Sequence, residues 1–509
     1  MKLTEEQQSI FDLIIKGNKS GDNRVIYLKG YAGTGKTVIA SKLINHGGFK
    51  KILVLTPTAT ALSVIRRKVI SDACENGSCR TFVVYKTFAS VMTSVVESIQ
   101  SKSHGMKFNL TSAEIQGFRQ FLKGFQINDD EIIKEILFKT QQMTETKYLV
   151  DIERLNQQLF DKSKIDFNFS LETEFKLSKP EDVDLSDYDL VIVDEASMID
   201  EIEMQTLNQT NAKQIVWVGD PGQLPPVNGT QSSEFVLDKK HTLSKILRSN
   251  DEIIADATKI RNSGIKSLLS KTQIANGLQQ YIDQNIDKLL SYDICLSYTN
   301  EVVDILNQSL RKHVTDSNEL IIDEPIVVTQ NSWNKKGLAF SNSQRLKVTK
   351  VLTKKETLEF IERSFMNLNI MNDFNDDRFL MYRKLIDDNK LRLIKVSDDS
   401  ADDDFQDFIQ IEDDGELVLA SINVNNNRIS SYERQVLDLI VRSVQETYEY
   451  LTYIYWKSAY AMTVHKSQGS EWNNIAYFYQ LNRFRENKSL DYTAITRAKS
   501  NCSIIAYVK

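Results

Sequence analysis

Cysteine is scarce in this 509-residue sequence, which contains only Cys74, Cys79, Cys295 and Cys502. None of them forms a Cys-x-x-Cys pair, so their spacing indicates neither a zinc site nor a disulfide framework. The N-terminus lacks the apolar segment of a signal peptide. No apolar run approaches the roughly 18 residues that a membrane span requires. We therefore expect a cytoplasmic protein with no membrane partner.

Basic residues are slightly outnumbered, with 63 Lys and Arg against 69 Asp and Glu, for a net charge of −6. Taken alone, this balance argues against a protein that coats nucleic acid by bulk charge. However, nine acidic residues and no basic ones lie between Asp398 and Asp414. These nine negative charges exceed the magnitude of the net charge, so the rest of the chain has no excess of negative charge. The net charge therefore does not exclude a nucleic-acid partner.

Short apolar runs, most of them followed by a helical pattern, recur along the chain. They lie at Val25–Leu28, Ile52–Leu55, Leu190–Val193, Ile215–Val218, Ile294–Tyr298, Ile475–Phe478 and Ser503–Tyr507. Buried strands that alternate with helices are typical of a parallel α/β sheet. Residues 90–180, which are polar and mostly helical in pattern, interrupt the series, and residues 346–450 interrupt it again. The sequence predicts an α/β protein with two core domains and two inserted accessory domains.

A phosphate-binding loop is predicted at Gly30–Thr37, where Gly-Tyr-Ala-Gly-Thr-Gly-Lys-Thr matches the pattern G-x-x-x-x-G-K-[ST] between a strand and a helix. Glycine is needed there because backbone N–H groups wrap around phosphate oxygens, and the helix N-terminus adds positive potential. We expect Lys36 to reach the β- and γ-phosphates and Thr37 to bind Mg²⁺. Gly30, Gly33, Thr34 and Gly35 complete the predicted nucleotide site.

Two carboxylates, Asp194 and Glu195, follow the apolar run Val191–Val193, and we assign them to the same nucleotide site as this loop. We expect Asp194 to hold Mg²⁺ and Glu195 to activate the attacking water. Gln223 stands in a proline-rich loop after the next strand, where it could contact both the γ-phosphate and the water. Up to this point the motifs establish an NTPase, which could equally be a kinase, a GTPase or a transporter.

Later motifs narrow the class. Asp194–Ser197, Gly219–Val227, Thr463–Gly469 and Thr493–Ala498 follow the phosphate loop in the order found in superfamily 1 helicases. The chain most resembles the 5′-to-3′ subgroup that contains RecD and the phage helicase Dda. Further segments similar to Dda are Leu3–Gln7, Leu247–Asn250, Tyr298–Asn300 and Ser341–Leu346. The resemblance covers both cores but neither insertion.

The resemblance implies two RecA-like P-loop cores that share one ATP cleft. The first core would take residues 1–89 and 181–246, the second 247–345 and 451–509, with insertions at 90–180 and 346–450. It also implies roles for single residues: Gln7 reads adenine, Arg248 and Arg497 are arginine fingers, Gly469 and Glu471 belong to the nucleotide site, and Glu471 contacts the ribose. Fingers from a second core would make catalysis depend on closure of the cleft.

The resemblance also implies loops that grip a single DNA strand through hydroxyls and backbone amides, which suits a motor that ignores sequence. In the first core these are Thr56, Pro57, Thr58, Tyr85 and Lys86. In the second core they are Thr299, Asn300, Thr463, His465 and Lys466. Trp333, Trp456 and Trp472 could stack bases, with apolar packing as the alternative.

The insertion at 90–180 is longer than the matching segment of Dda, from which a strand-separating pin emerges. We expect it to be a wedge that separates strands, with Phe108, Phe121 and Phe125 as pin candidates or, alternatively, core residues. The 346–450 insertion is expected to be an accessory domain beside the second core.

The resemblance implies an ATP- and Mg²⁺-dependent DNA helicase and translocase, acting 5′-to-3′ on single-stranded DNA and duplex junctions. Two alternatives stay open at this point: an RNA-directed motor of the same superfamily, and an ATPase switch that does not unwind. The resemblance further implies a bacterial or phage-infected cell, replication or recombination proteins as partners, and activity as a monomer.

Overall fold

The computed structural model contains a mixed α/β chain. It describes residues 3–508 except 21–23, 77–80, 111–113, 137–146, 151, 227–228, 238–240, 247–250, 317–318, 335–336, 341, 368–375, 389–390, 399–415, 424–439, 441–443, 445–447, 449–450 and 482–486. None of the helices in this described part has the length and apolar character of a membrane span. Cys74, Cys295 and Cys502 carry free thiols.

The helices alternate with strands through most of the chain. They are α1 Glu5–Ser20, α2 Lys36–His46, α3 Ala59–Asn76, α4 Phe88–Met92, α5 Ile115–Gly124, α6 Asp129–Ile132, α7 Ile152–Ser163, α8 Glu201–Gln209, α9 Ser233–Leu237, α10 Asp251–Ser263, α11 Leu278–Gln284, α12 Ile286–Leu290, α13 Asn300–Val314, α14 Lys354–Asn367, α15 Asp376–Asp387 and α16 Lys488–Ile495.

The strands fall into several sheets. They are β1 Val25–Gly30, β2 Lys51–Thr56, β3 Phe82–Thr87, β4 Thr93–Ser101, β5 Met106–Asn109, β6 Ile133–Ile136, β7 Lys147–Val150, β8 Ser170–Leu177, β9 Leu190–Val193, β10 Ile215–Gly219, β11 Thr242–Leu243, β12 Gln273–Ala275, β13 Ile294–Ser297, β14 Pro325–Val328, β15 Ser332–Asn334, β16 Gly337–Phe340, β17 Arg345–Val351, β18 Leu391–Asp398, β19 Glu416–Asn423, β20 Thr452–Ser458, β21 Ala461–Thr463, β22 Trp472–Gln480 and β23 Ala498–Tyr507.

Two parallel sheets confirm the predicted fold class. The first has the order β11-β1-β10-β9-β2-β3 and the second the order β12-β23-β22-β13-β21. In the first sheet, β1, β2, β9 and β10 are almost wholly buried and apolar, as expected for strands that are covered on both faces. In the second sheet, two apolar clusters pack on opposite faces, one around α10 and α16 and the other around α13. The carboxyl ends of both sets of strands carry the predicted site residues.

Five strands, β14, β17, β18, β19 and β20, close into a small barrel. Two of them, β14 and β20, lie outside the 346–450 range assigned to the second insertion. Trp456, on β20, is only 4% exposed and packs in the barrel core, while Trp472 is 7% exposed and packs in the second core. The alternative of apolar packing is therefore confirmed for these two tryptophans. The side chain of Trp333 lies outside the described residues.

A buried ion pair joins the barrel to the second core. Arg311 of α13 donates from Nε to Glu324 Oε1 at 2.7 Å, and the carboxylate is fully buried. Ser458 of β20 donates to the same oxygen at 3.0 Å. A carboxylate removed from water needs such partners, because the desolvation penalty is otherwise uncompensated.

Replacing Arg311 by methionine is expected to destabilise the protein by about 3–5 kcal/mol, because it leaves the Glu324 charge buried without its cation. Chemical denaturation followed by circular dichroism measures the change. Lys347→Met is the control, since Lys347 pairs at 2.8 Å with the largely exposed Asp323, and such a pair contributes at most about 1 kcal/mol. Equal shifts for both variants would contradict this assignment.

The chain contains a second compact unit, made of residues 89–184 and 209–211. Its strands β5-β4-β8 form an antiparallel sheet, and β6 and β7 form a hairpin. The expectation that 90–180 is mostly helical is therefore wrong. The sequence of β4, Thr-Ser-Val-Val-Glu-Ser-Ile-Gln-Ser, lacks the regular alternation of polar and apolar residues that marks a half-buried strand, and this conceals the sheet.

Aromatic side chains fill the core of this second unit. Phe121 lies 5.2 Å from Phe108 and 5.2 Å from Phe125, measured between ring centroids. All three pack against the buried Phe118, Phe167 and Phe169. The core alternative is thus confirmed for the three pin candidates, because rings held by one another are not available to separate strands. The predicted domain boundaries, and the wedge role of this unit, stay predictions.

Candidate nucleotide and nucleic-acid site

The predicted phosphate loop joins β1 to α2. Gly33 and Gly35 have φ angles of 79° and 83°, a left-handed conformation that side chains with a Cβ rarely adopt. Lys36 Nζ donates to the carbonyl oxygens of Gly30 and Tyr31 at 2.8 and 2.9 Å. The Lys36 ammonium is thus held over the loop at the N-terminus of α2, where backbone amides and the helix dipole favour an anion.

Two carboxylates follow β9 next to this loop. Asp194 is 7% exposed, and its Oδ1 accepts the backbone N–H of Glu195 at 3.0 Å. Burial, together with the charge of Glu195, raises the pKa of Asp194, while Lys36 and a hydrogen bond from Thr37 lower it. Carboxylate and hydroxyl oxygens are the ligands that Mg²⁺ prefers, so the Thr37–Asp194 pair fits that ion.

Glu195 has an unusual backbone for a residue with a side chain. Its φ of 55° and ψ of 40° lie in the left-handed region, directly after the strand. Non-glycine residues with this geometry are sparse and concentrate at functional sites. The charge of Glu195 acts on the buried Asp194, so both carboxylates belong to one site next to the phosphate loop. The division of roles between them, with Asp194 on the metal and Glu195 on the water, stays a prediction.

Gln223 is 4% exposed, and its Oε1 has no hydrogen-bond partner among the described residues. We name Asp220–Leu224 the sensor loop. Within it, the backbone N–H of Gln223 donates to the carbonyl of Asp220 at 3.1 Å, which forms a tight turn after β10. A buried amide oxygen without a partner is costly, so it favours a ligand at this position. The orphaned oxygen therefore suits the predicted sensor role of Gln223.

Gln7 stands beside the phosphate loop. Thr4 and Gln7 form a reciprocal capping box at the start of α1, with Thr4 N–H donating to Gln7 Oε1 at 2.9 Å. Gln7 Nε2 donates to the Thr34 carbonyl at 3.0 Å and the side chain is buried. The amide is thus oriented against the nucleotide loop, and its reading of adenine stays a prediction.

Arg497 follows α16 and is 3% exposed. Its guanidinium donates to the carbonyls of Thr493 and Ser470 at 3.1 and 3.2 Å. These two bonds use two of the five N–H donors of arginine, so the predicted finger role is compatible with them. Arg248, the other predicted finger, lies outside the described residues. Glu471 follows the turn at Gly469. The ribose contact of Glu471 and the place of Gly469 in the nucleotide site stay predictions.

The loops of the first core that are predicted to bind the DNA strand lie side by side. Thr56 and Thr87 are paired at the carboxyl ends of β2 and β3. Thr56 Oγ1 donates to the Thr58 carbonyl at 2.7 Å, and Thr58 Oγ1 accepts the N–H of Ala61 in the first turn of α3. Pro57 is half-buried between the two threonines. This loop is therefore tightly built, and its position is fixed by the sheet.

On the adjacent strand β3, Tyr85 and Lys86 are half-buried. The Arg66 guanidinium lies 6.0 Å from the centre of the Tyr85 ring. Burial raises the pKa of the Tyr85 hydroxyl to about 12, so it stays protonated at neutral pH. Contacts of these two residues with a strand stay predictions.

The second core repeats this arrangement, because Ser297 and Thr463 are paired at the ends of β13 and β21. Thr299 caps α13 by accepting the N–H of Val302, and the exposed Asn300 begins that helix. Thr463 Oγ1 accepts the N–H of Lys466 at 3.3 Å. The sheets thus bring the predicted strand residues of each core together at one edge, while their contact with nucleic acid stays a prediction.

His465 and Lys466 follow Thr463 and are the remaining predicted DNA-binding residues of the second core. The His465 ring lies 6.1 Å from that of the partly exposed Tyr298. Burial lowers the pKa of His465, which favours the neutral imidazole as a hydrogen-bonding group. Burial also lowers the pKa of Lys466, and the cation of Lys457 has the same effect. Lys457 comes from the barrel and was not predicted.

Contacts between the two cores were also missed by sequence reasoning. Tyr492 Oη donates to Asp220 Oδ2 at 2.7 Å and accepts the N–H of Ala32, in the phosphate loop, at 3.3 Å. Arg261 of α10 lies 3.9 Å from the centre of the Tyr31 ring. The one available signal was that Tyr492 directly precedes the motif at 493–498.

A third contact between the cores involves Gly469, whose φ is 82°. A Cβ at this position would lie 3.2 Å from Ala61 Cα and 3.3 Å from Ala61 Cβ. Ala61 belongs to the first turns of α3, immediately after the strand loop at 56–58. The second core therefore meets the first both at the phosphate loop and next to the strand loop.

Two family models match this chain. The model described as "AAA domain" covers residues 16–229, and the one described as "UvrD-like helicase C-terminal domain" covers 458–505. Among curated proteins, the RecBCD enzyme subunit RecD of Buchnera aphidicola subsp. Acyrthosiphon pisum (strain APS) is 24% identical over 378 residues, which is 63% of this chain and 54% of RecD. The RecD of Buchnera aphidicola subsp. Schizaphis graminum (strain Sg) is 22% identical, covering 62% of this chain and 54% of that protein.

The chain thus spans about half the length of the curated relatives it matches. Among solved structures, the Pif1 helicase from Candida albicans is 15% identical, with a TM-score of 0.46 and coverage of 99% of this chain and 94% of that one. A structure of two coordinating Pif1 helicases at forked dsDNA is 16% identical, with a TM-score of 0.47 and coverage of 99% and 92%. The ordered motifs, the two family models and the RecD relatives show that the chain is similar to the superfamily 1 helicases of the RecD and Dda type.

Proposed function

We propose that this protein is an ATP-dependent DNA helicase and translocase that moves 5′-to-3′ along single-stranded DNA. The observation that carries the proposal is the double contact between the cores. Tyr492 meets the phosphate loop at Ala32, and Gly469 meets α3 beside the strand loop. A cleft that connects a nucleotide site with a strand site can convert ATP hydrolysis into relative movement of two grips.

In this proposal each site residue has one task. Lys36 neutralises charge on the β- and γ-phosphates, Glu195 orients the attacking water, and Gln223 contacts both the water and the γ-phosphate. Arg248 and Arg497 bring positive charge from the second core, so hydrolysis requires the cores to be together. Mg²⁺, held by Thr37 and Asp194, would neutralise phosphate charge when bound.

Strand binding is proposed to use phosphate contacts from both cores. In one core, Thr56 ends β2 and Pro57 and Thr58 follow it. In the other, Thr299 and Asn300 form the N-terminus of α13. Hydroxyls and helix N-termini at such positions bind phosphate without regard to base sequence. Tyr85, Lys86, Thr463, His465 and Lys466 are the remaining proposed contacts.

The polarity, and the choice of DNA, are proposed from the kinship with RecD and Dda. Single-stranded DNA and duplex junctions are the proposed substrates, and replication or recombination proteins are proposed partners. Activity as a monomer is part of the same proposal. The unit at 89–184 is proposed to be the wedge that separates strands.

The deciding experiment compares the ATPase rate with single-stranded DNA and RNA oligonucleotides, followed by unwinding of duplexes with a 5′ or a 3′ tail. We expect DNA to stimulate hydrolysis more than RNA does, and only the 5′-tailed duplex to be unwound. Preference for RNA would favour the RNA-directed motor. Stimulated hydrolysis without unwinding of either duplex would favour the ATPase switch.

A further inference from the structure

Helix α16 of the second core holds the sensor loop of the first through two consecutive hydroxyls. Tyr492 Oη donates to Asp220 Oδ2 at 2.7 Å. Thr493 Oγ1 accepts the backbone N–H of Leu224 at 3.1 Å. The four residues are at most 3% exposed, so water does not compete for their hydrogen bonds. Both ends of the sensor loop are therefore fixed by the opposite core.

The Asp220 carboxylate also shapes the turn that presents Gln223. Its Oδ1 accepts the N–H of Gly222 at 2.9 Å, while its backbone carbonyl accepts the N–H of Gln223. One carboxylate thus receives the Tyr492 hydroxyl on one oxygen and the turn on the other. A displacement of Tyr492 would shift the Asp220 carboxylate, which accepts the hydrogen bond that orders the turn. The Gln223 side chain would then change position as well.

Tyr492 is connected to the phosphate loop as well. The N–H of Ala32 donates to Tyr492 Oη at 3.3 Å, so this hydroxyl accepts from one nucleotide-binding segment and donates to the other. Burial and the adjacent Asp220 carboxylate raise the pKa of Tyr492, which keeps the hydroxyl protonated and able to donate. Arg261, which stacks on Tyr31 and donates to its hydroxyl at 2.6 Å, supports the same contact between the cores.

We propose that Tyr492 is a positioning residue that transmits closure of the two cores to Gln223 through Asp220, with Thr493 as a second link. The inference rests on the proposed function, because it concerns ATP hydrolysis at that site. When the cores are together, the two hydroxyls hold the sensor loop in the geometry for hydrolysis. When they separate, both links break and Gln223 loses its position.

The test replaces Tyr492 by phenylalanine, which removes only the hydroxyl. Tyr477→Phe is the matched control, because Tyr477 is also a fully buried tyrosine of the second core and donates to a buried aspartate, Asp491, at 2.6 Å. That bond stays within one core. Loss of a group that stabilises charge in an active site commonly lowers turnover by about 10²-fold. Loss of a group that acts through another residue should lower turnover by somewhat less.

We therefore expect Tyr492→Phe to lower the DNA-stimulated kcat by about tenfold or more, with a KM for ATP within about threefold of the wild type, since hydrolysis and not binding is affected. Tyr477→Phe should keep the wild-type kcat, although it loses a buried hydrogen bond of the same kind. Thr493→Val, which is close to isosteric, should lower kcat in the same way as Tyr492→Phe, and it provides the test if that variant does not fold. Denaturation midpoints of all variants show whether a change in rate follows stability alone.

Equal kcat values for folded Tyr492→Phe and Tyr477→Phe, in a wild type that DNA does stimulate, would overturn the inference. A decrease in kcat that tracks the denaturation midpoint across all three variants would overturn it too, because it would indicate a merely structural role. A wild-type protein that single-stranded DNA does not stimulate would instead contradict the proposed function. The two failures are therefore distinguishable in one set of assays.

Discussion

Replacing Lys36 by alanine should lower ATP turnover by about 10²–10³-fold or more, because it removes the cation that the phosphate loop holds at the N-terminus of α2. Lys36 Nζ bonds two carbonyls of the loop, at 2.8 and 2.9 Å, so the charge is placed before any nucleotide binds. The steady-state ATPase rate with single-stranded DNA measures the effect. Binding of a fluorescent oligonucleotide should stay within about threefold of the wild type, since phosphate contacts to the strand come from other loops.

Lys42→Ala is the matched control for this variant. Lys42 lies on the same helix, but it forms an ion pair with Asp72 between α2 and α3, away from the phosphate loop. Its loss should reduce stability while the ATPase rate stays close to that of the wild type. An active Lys36→Ala protein would contradict the assignment of the nucleotide site.

Replacing Gly469 by alanine should lower the DNA-stimulated ATPase rate by about tenfold or more, because it keeps the two cores apart. The new Cβ would lie 3.2 Å from the Ala61 backbone, which is closer than ordinary contact. The backbone at Gly469 is also left-handed, which costs a residue with a Cβ about 1–2 kcal/mol. In the proposed function, hydrolysis depends on charge brought from the second core, so even a small separation should reduce the rate.

The Gly48→Ala variant distinguishes the effect of backbone strain from that of the steric contact between the cores. Gly48 has a similar φ of 76°, but no described atom lies within 4 Å of the Cβ position. This variant carries the backbone strain without the steric contact, so it should lose stability and keep its ATPase rate. If the two variants lose the same fraction of activity, strain is the cause and the contact between the cores is not.

The parallel sheets were predictable because their strands are continuous apolar runs, such as Val191–Val193, which few other structures accommodate. The phosphate loop and the carboxylates were predictable because their chemistry requires specific residues at fixed spacing. In contrast, the sheet β5-β4-β8 was missed, since the central strand β4 lacks the regular alternation of polar and apolar residues that marks a strand. Local periodicity alone did not distinguish it from an amphipathic helix.

The contacts between the cores could not be predicted for a different reason. Tyr492 and Asp220 are 272 residues apart in the chain, and no periodicity connects them. A tyrosine before a recognised motif has many structural uses, so its type carries little information. The same holds for Lys457, whose closeness to Lys466 depends on how the barrel packs on α13. Such pairs follow from tertiary structure alone.

The proposed function requires ATP hydrolysis to move this protein along single-stranded DNA in the 5′-to-3′ direction. Displacement of streptavidin from biotinylated oligonucleotides measures it most directly, because it reports translocation without requiring strand separation. We predict ATP-dependent displacement of streptavidin from the 3′ end and none from the 5′ end. The Lys36→Ala variant should displace streptavidin from neither end. Displacement from the 5′ end alone, or from neither end while DNA still stimulates hydrolysis, would contradict the proposed function.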